Sequence, residues 1–250
     1  MTNRRYDVPR PPGLRRGVSA SAVALVTAAI GCALAAPVPA AASRVPASQP
    51  LVVLLHNHVA RTSPNTRARR IETVSARRPL TGVRTVLPVL GRARSHGHSW
   101  VRVRLPGRPN GHQGWIGAQQ TKPTSTEWRL FLDLSARRVT VYHFGRAARR
   151  FRAVIGKPST PTPRGQFFIE EALALSSGAA GGPFALATSA RSNVLQEFDG
   201  GPGQIALHGT NNLSGTPGTA ASHGCIRLNT HAITWLAARI GSGIPLTITG

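Results

Sequence analysis

Residues 208–228 read HGTNNLSGTPGTAASHGCIRL, and they contain Cys225, one of only two cysteines in the chain. The other cysteine, Cys32, lies near the N-terminus. Three interpretations of Cys225 are open at this point: a small buried apolar side chain, one half of a disulfide bond, or a reactive thiol. The compartment of the chain and the residues around the thiol decide between them.

The first 42 residues indicate export. Several arginines precede an uncharged stretch from Val18 to Ala36, the small-residue run PVPAAAS follows, and cleavage is expected near Ala42. A retained membrane anchor is one alternative, because the uncharged stretch approaches the length that spans a bilayer. Lipidation at Cys32, within AIGCA, is another. Export leaves Cys225 as a lone thiol in an oxidising compartment, where unpaired cysteines are normally avoided.

The charge of the chain is strongly positive. It has 31 Lys and Arg residues against 8 Asp and Glu, a formal net charge of +23. Residues 43–126 carry 14 basic side chains and a single acid, Glu72. This imbalance predicts polyanionic surroundings, and the anionic polymers of a bacterial cell wall are the partner expected for an exported chain. Because aromatic platforms do not accompany the basic residues, we expect no nucleic-acid binding.

After a linker over 43–50, residues 51–118 have the pattern of a small β domain. Val101, Val103 and Leu105 alternate with arginines, which predicts a half-buried strand, and Asn110-Gly111 predicts a turn. The segment WVRVRLPGRPNGHQGWI resembles the bacterial SH3-like modules of cell-wall enzymes. We therefore expect a small SH3-like β-barrel that binds the wall, followed by a second linker over 119–126.

Residues 127–249 are again mainly β in pattern. LFLDL and VTVYHF each have an alternating pattern, and SARR lies between them, so the two segments are predicted to form a hairpin. GQFFIE predicts a further strand. The glycine-rich residues 170–183 are expected to form a flexible surface loop. One helix is predicted at the C-terminus, capped by Asn229 and ended by Gly241, with an apolar stripe of Ile233, Leu236, Ala237 and Ile240.

Two histidines could make Cys225 reactive. At its ordinary pKa a cysteine is only a few per cent thiolate at neutral pH, and a neighbouring imidazole or backbone N–H groups can increase that fraction. His223 lies two residues before the cysteine, across Gly224, and His208 ends a short apolar strand upstream. The remaining histidines are expected at the surface (His56, His58, His96, His98, His112, His143 and His231).

Other chemistries fit the sequence less well. One cysteine and two histidines lack a fourth ligand at suitable spacing, so we expect no metal site. Ser222 has no GxSxG elbow around it, which argues against a serine hydrolase. Glu170 and Glu171 are adjacent in a predicted loop and do not form the separated carboxylate pair of a glycosidase.

HGT at 208–210 and SHGCIRL at 222–228, together with TPTPRGQFF at 160–168, resemble the signature of the L,D-transpeptidases, the YkuD-type catalytic domain. The resemblance covers about residues 127–249. In the NlpC/P60-type cysteine peptidases, which also carry SH3-like modules, the cysteine precedes the histidine, so the order of the two residues favours the first family.

The resemblance implies a mainly β, sandwich-like catalytic domain with one C-terminal helix. By the same resemblance, Cys225 would be the nucleophile, and His208 the acid and base, oriented by the carbonyl of Gly209. The N–H groups of Gly224 and Cys225, with His223, would form the oxyanion hole.

Ser222 and Arg227 would bind substrate. Some family members have asparagine in place of Arg227, so this arginine could contact a stem carboxylate or be a solvated structural residue.

The implied activity is peptidoglycan 3→3 cross-linking, with tetrapeptide stems as donor and acceptor, no cofactor and no obligate protein partner. Two alternatives remain open. An L,D-carboxypeptidase would use water in place of the acceptor amine at the same site. A catalytically silent wall-binding protein would retain only the basic module.

Overall fold

The computed structural model describes residues 45–176, 178–198 and 200–250, so the predicted export signal lies outside the described residues. The described part is mainly β with one helix. No helix in these ranges is long and apolar enough to cross a membrane.

The N-terminal module is a seven-stranded antiparallel sheet in the order β3-β2-β6-β5-β4-β1-β7. Its strands are β1 Gln49–Leu54, β2 His58–Arg61, β3 Arg70–Val74, β4 Val86–Ser95, β5 His98–Arg104, β6 Gln113–Gly117 and β7 Thr121–Thr126. The alternation predicted for β5 is confirmed, because Val101, Val103 and Leu105 are buried and Arg102 is exposed.

The predicted linkers are partly strands. Residues 119–126 were expected to be a linker, yet β7 pairs along its whole length with β1, from Thr126 opposite Gln49 to Thr121 opposite Leu54. β1 itself begins at Gln49, inside the other predicted linker. Both segments are polar or contain proline, so side-chain patterning gives no signal. What holds them is backbone pairing, to which every residue except proline contributes a donor and an acceptor.

The C-terminal part is built on an eight-stranded mixed sheet in the order β10-β9-β8-β17-β12-β13-β14-β16, with β11 and β15 forming a separate parallel pair. The elements are β8 Trp128–Asp133, β9 Arg138–His143, β10 Arg146–Arg152, β11 Ile155–Gly156, β12 Gly165–Ala174, β13 Phe184–Arg191, β14 Gln204–His208, β15 Ala220–Ser222, β16 Ile226–Arg227, α1 Thr230–Ala237 and β17 Pro245–Thr249. The predicted β8–β9 hairpin is present, with Leu132 opposite Val139.

The helix α1 begins where predicted. Asn229 Oδ1 accepts a hydrogen bond of 2.8 Å from the Ala232 N–H, which satisfies one of the free donors of the first turn. Ile233 and Leu236 are buried in the core. The helix ends at Ala237, before the predicted Gly241, because its last turn tightens and the Arg239 N–H bonds the Leu236 carbonyl.

The expected surface loop over 170–183 is wrong at its start, because β12 continues to Ala174 and buries both glutamates at 1% exposure. Glu170 pairs with Arg78 of the N-terminal module and with Arg191 at the end of β13. Glu171 accepts hydrogen bonds from the N–H and hydroxyl of Thr81. The partners lie far away in sequence, so local patterning could not reveal that these charges are compensated.

The two modules share one apolar core at their junction. Phe168 on β12 is fully buried, and it packs in the same cluster as the N-terminal residues Leu54, Leu87 and Val103. A second cluster fills the C-terminal part and includes residues of α1. Strand β12 of the C-terminal part therefore supplies part of the N-terminal core.

Candidate active site

Cys225 lies in the turn that joins β15 to β16. Its Sγ is 3.9 Å from the Gln204 carbonyl on the neighbouring strand β14. Gly224 before it has φ of 119°, and a Cβ there would lie 2.9 Å from Ile205 Cδ1. Only glycine takes up this conformation without strain at so close an approach, which explains the glycine directly before the thiol.

Ser222, a residue of the same turn, holds its conformation. Its hydroxyl donates to the Cys225 carbonyl at 2.6 Å and accepts from the Gly224 N–H at 3.1 Å. The side chain has no exposed surface. Ser222 therefore shapes the turn, and its burial argues against the substrate contact expected from the sequence.

Two threonines of a neighbouring segment also hold the turn. Thr162 Oγ1 donates to the Gly224 carbonyl at 2.8 Å and accepts from the Gly156 N–H at 2.9 Å. Thr160 Oγ1 donates to the Ser222 carbonyl at 3.2 Å. Both belong to the TPTPR segment that leads into β12, so this segment holds the cysteine turn as well as starting a strand.

His208 is the last residue of β14, and its ring orientation is fixed. Nδ1 lies 2.8 Å from the Gly209 carbonyl, which is the contact expected from the sequence. A carbonyl oxygen only accepts hydrogen bonds, so Nδ1 carries the proton and Nε2 of the neutral ring keeps its lone pair. Gly209 is required sterically, because a Cβ there would lie 1.8 Å from the Gly182 carbonyl oxygen.

Cys225 and His208 line one cleft of about 740 Å³. β14 and β16 run parallel with Leu207 opposite Ile226, so the strand end that carries His208 lies beside the strand that follows Cys225. The cleft is also lined by Leu195, Phe198, His223 and Arg227.

The surroundings favour the neutral forms of both groups. Burial raises the pKa of the Cys225 thiol above its ordinary value, and the Ala206 N–H and the charge of Arg227 offset this only in part. Burial also lowers the pKa of His208, despite its hydrogen bond to Gly209. These shifts favour a thiol that keeps its proton and an imidazole that lacks one, so the larger thiolate fraction that neighbouring groups can produce is not favoured in this cleft.

Arg227 is buried at 7% exposure, so the alternative of a solvated arginine is wrong. One of its terminal N–H groups donates to the Ser214 carbonyl at 2.6 Å. Its side chain lines the same cleft as Cys225 and His208.

His223 is exposed at the rim of the cleft. Its ring stacks on Phe198 with centroids 5.7 Å apart, and its Nε2 lies 3.5 Å from Lys157 Nζ.

Residues 127–248 match the family model of the L,D-transpeptidase catalytic domain YkuD. They are a YkuD-type L,D-transpeptidase domain. The L,D-transpeptidase YkuD of Bacillus licheniformis is 29% identical over 152 residues, covering 58% of this chain and 84% of that protein. YkuD of Bacillus subtilis is 28% identical over 126 residues, covering 50% of this chain and 68% of that protein.

Solved structures similar to this chain include two mycobacterial proteins. An L,D-transpeptidase from Mycobacterium smegmatis is 21% identical, with a TM-score of 0.39, and the match covers 66% of this chain and 99% of that chain. L,D-transpeptidase 3 from Mycobacterium tuberculosis is 13% identical, with a TM-score of 0.40, and the match covers 65% and 98%.

In this L,D-transpeptidase domain, the residues singled out from the sequence all lie at or beside the cysteine turn. Cys225, His208, His223 and Arg227 line the cleft, and Gly209 holds His208. The expected role of Gly224 needs correction, because its N–H is already bonded to the Ser222 hydroxyl. Of the two expected backbone donors, this leaves the Cys225 N–H.

Sequence reasoning missed two groups of residues in the L,D-transpeptidase domain. Thr160 and Thr162 belong to the TPTPRGQFF stretch that carried the resemblance, but no role was assigned to them, although they hold the cysteine turn. The other group, Leu195 and Phe198, lies in a loop whose contribution to the cleft has no sequence motif. Among the described residues, no group of three or more His, Cys, Asp or Glu side chains could hold a metal ion.

Proposed function

We propose that the chain is an exported peptidoglycan L,D-transpeptidase with Cys225 as the nucleophile and His208 as the general base. The observation that carries the proposal is that a lone thiol and an imidazole of fixed tautomer line the same cleft. The family of the domain supports the reaction type.

In the first half-reaction, Cys225 Sγ attacks the carbonyl carbon of the third residue of a tetrapeptide stem, an L-centre. His208 Nε2 takes the thiol proton as the C–S bond forms, and the tetrahedral intermediate collapses by breaking the C–N bond to the terminal D-alanine. The proton on His208 passes to the leaving amine. The product is a thioester on Cys225.

In the second half-reaction, the side-chain amine of a diamino acid on another stem attacks the thioester. His208 accepts a proton from this amine, and the sulfur departs and regains its proton. The result is a 3→3 cross-link and a restored thiol. One imidazole serves both steps because its Nδ1–H stays bonded to Gly209 while Nε2 exchanges the proton.

The electrostatics suit this order of events. A raised thiol pKa keeps Cys225 protonated in the resting enzyme, so proton removal accompanies attack. A lowered imidazole pKa keeps His208 in the basic form that this step needs. The buried positive charge of Arg227 favours the developing thiolate, and it can also attract a stem carboxylate.

The developing oxyanion needs preorganised donors. We assign the Cys225 N–H to this role, with the ring of His223 at the cleft rim as a second donor. The hydrogen bonds of Ser222, Thr160 and Thr162 hold the turn that presents the Cys225 N–H.

The proposed location is the cell envelope, with the N-terminal module as an SH3-like wall-binding unit. The support is the export-signal pattern of the first 42 residues and the excess of arginine over 43–126. Exposed arginines on this module include Arg92 and Arg94. Sedimentation with isolated cell walls tests this, and binding that does not weaken with added salt would contradict it.

Product analysis with purified tetrapeptide stems tests the reaction. We expect wild-type protein to form cross-linked dimers, and Cys225→Ala to form none while remaining folded. Free tripeptide without dimer would instead identify an L,D-carboxypeptidase. Undiminished dimer formation by Cys225→Ala would refute the proposal.

A further inference from the structure

One side of the active-site cleft is held by the N-terminal module. We call residues 192–198 and 200–203, between β13 and β14, the cleft loop. Ser192, Leu195, Phe198 and Gly203 of this loop line the cleft that contains Cys225. Leu195 is half-buried and Phe198 is exposed, so the loop contributes both packing and an open apolar rim.

Arg108, in the turn between β5 and β6, bonds the cleft loop at three backbone carbonyls. Its terminal nitrogens donate to Ser192 at 2.8 Å, to Leu195 at 3.2 Å and to Pro202 at 2.9 Å. These carbonyls come from the beginning, middle and end of the loop. A planar guanidinium with several donors can join them at once, which the single ammonium of lysine cannot do in the same geometry.

Asn110 fixes the start of the same loop. Its side-chain amide accepts a hydrogen bond from the Arg191 N–H at 2.8 Å and donates one to the Arg191 carbonyl at 2.7 Å. The Asn110 side chain thus pairs with both backbone groups of Arg191, as a residue of a neighbouring strand does. It also donates to Asn193 Oδ1 at 2.9 Å. The Arg191 side chain is in turn bonded to the buried Glu170, so the loop begins from a rigid point.

The cleft loop has few bonds of its own that span its length. The Ser192 N–H bonds the Gly203 carbonyl at 2.8 Å, and Phe198 and Gly201 bond each other near the tip. Arg108 lies outside this framework and links its separate parts. Removing the guanidinium would leave the Leu195 and Pro202 carbonyls without this connection to the N-terminal module.

We propose, resting on the transpeptidase function above, that Arg108 and Asn110 are positioning residues that set the conformation of the cleft loop and so the binding of the stem peptide. They touch no reacting atom. The N-terminal module is thereby part of the substrate site as well as a candidate wall-binding unit.

The test uses the full chain and the variants Arg108→Ala and Arg108→Lys, with Arg102→Ala as the control. Arg102 is an exposed arginine of the same module and lies on β5 opposite Gly91. Arg102→Ala therefore removes one positive charge from the module, as Arg108→Ala does. Hydrogen exchange of the cleft-loop amides is the first measurement, because it needs no substrate. We expect exchange there to become about tenfold faster in Arg108→Ala, with α1 unchanged.

Steady-state kinetics is the second measurement. We expect Arg108→Ala to raise KM for the stem peptide about tenfold and to leave kcat nearly unchanged. A change of this size is expected when the charge-assisted hydrogen bonds of one guanidinium are lost. Arg108→Lys should recover only part of both effects, whereas Arg102→Ala should match wild type.

Several results would overturn the proposal: unchanged exchange in the cleft loop, equal acceleration across the whole catalytic domain, full recovery by lysine, or a fall in kcat at constant KM. If the wild type forms no cross-links, the proposed reaction fails, and the exchange measurement still decides whether Arg108 holds the loop.

Discussion

Cys225 and His208 lie in surroundings that favour a neutral thiol beside a neutral imidazole. Burial drives both shifts, raising the pKa of the thiol and lowering that of the imidazole. Many reactive cysteines are instead stabilised as thiolates by a neighbouring positive charge. In this cleft Arg227 acts in that direction, but its effect is smaller than that of burial. In the proposed mechanism, proton transfer to His208 therefore accompanies the attack by Cys225.

The pH dependence of the thiol follows from these shifts. The alkylation rate of Cys225 by iodoacetamide should still be rising at pH 9.0, because burial places its pKa above that ordinary value. The acid limb of kcat/KM should lie below pH 6.5, because the lowered pKa of His208 keeps the ring basic as the pH falls through that value. An alkylation midpoint near neutrality would instead indicate a preformed thiolate–imidazolium pair.

At this scale the sequence predicted which candidate residues lie together, but it did not predict which residues hold them in place. The spacing of His208 and Cys225 pointed to one site, and both residues line the same cleft. The role of the Ser222 hydroxyl was not predictable, because its bonds to Cys225 and Gly224 depend on how tightly the turn folds back. The direction of the thiol pKa shift was likewise not predictable, because burial is a tertiary property.

Among the elements, the segment before β12 contacts the cysteine turn directly, through Thr162. Thr162 is 4% exposed, and its hydroxyl bonds both the Gly224 carbonyl and the Gly156 N–H. It joins the β11 end of the segment to the cysteine turn. The turn is therefore held by a neighbouring element as well as by its own residues.

Replacing Thr162 with valine keeps the shape and removes both hydrogen bonds. We expect the free energy of unfolding to fall by about 1–3 kcal/mol, because a buried donor and a buried acceptor lose their partner. Denaturant unfolding measures this. Thr124→Val, at an exposed position on β7, is the matched control and should stay within about 0.5 kcal/mol of wild type. Equal stability of the two variants would contradict the role of Thr162.

The elements that sequence patterning predicted are those whose side chains alternate. The β8–β9 hairpin and β5 have apolar residues at every second position and are present in the structure. Strand β7 is polar and contains Pro123, so its pairing with β1 had no such signal. The end of β12 was missed for a different reason, since its glutamates are compensated by Arg78, Arg191 and Thr81 from distant segments.

Across the whole molecule, the two modules are joined by a common core and by buried charge. Phe168 is fully buried among N-terminal residues, although it belongs to a strand of the catalytic sheet. Close by on the same strand, Glu170 is bonded to arginines from both modules. The N-terminal module therefore contributes to the stability of the catalytic domain in addition to its contacts with the cleft loop.

Truncating Phe168 to alanine tests this joint core. We expect the free energy of unfolding to fall by about 3–5 kcal/mol, through lost burial and the cavity that remains. Phe144→Ala is the control, because that ring is 59% exposed, and it should cost about 1 kcal/mol or less. Similar losses for the two variants would show that Phe168 does not join the modules.

The proposed thioester between Cys225 and a peptidoglycan stem is measured most directly by the intact mass of the protein. Wild-type protein incubated with a defined tetrapeptide donor should gain the mass of the tripeptide acyl group, and an acceptor amine should then remove the adduct and release a cross-linked product. Cys225→Ala should gain no mass. An adduct of equal yield on Cys225→Ala, or cross-linking by wild type through another acylated residue, would contradict the account.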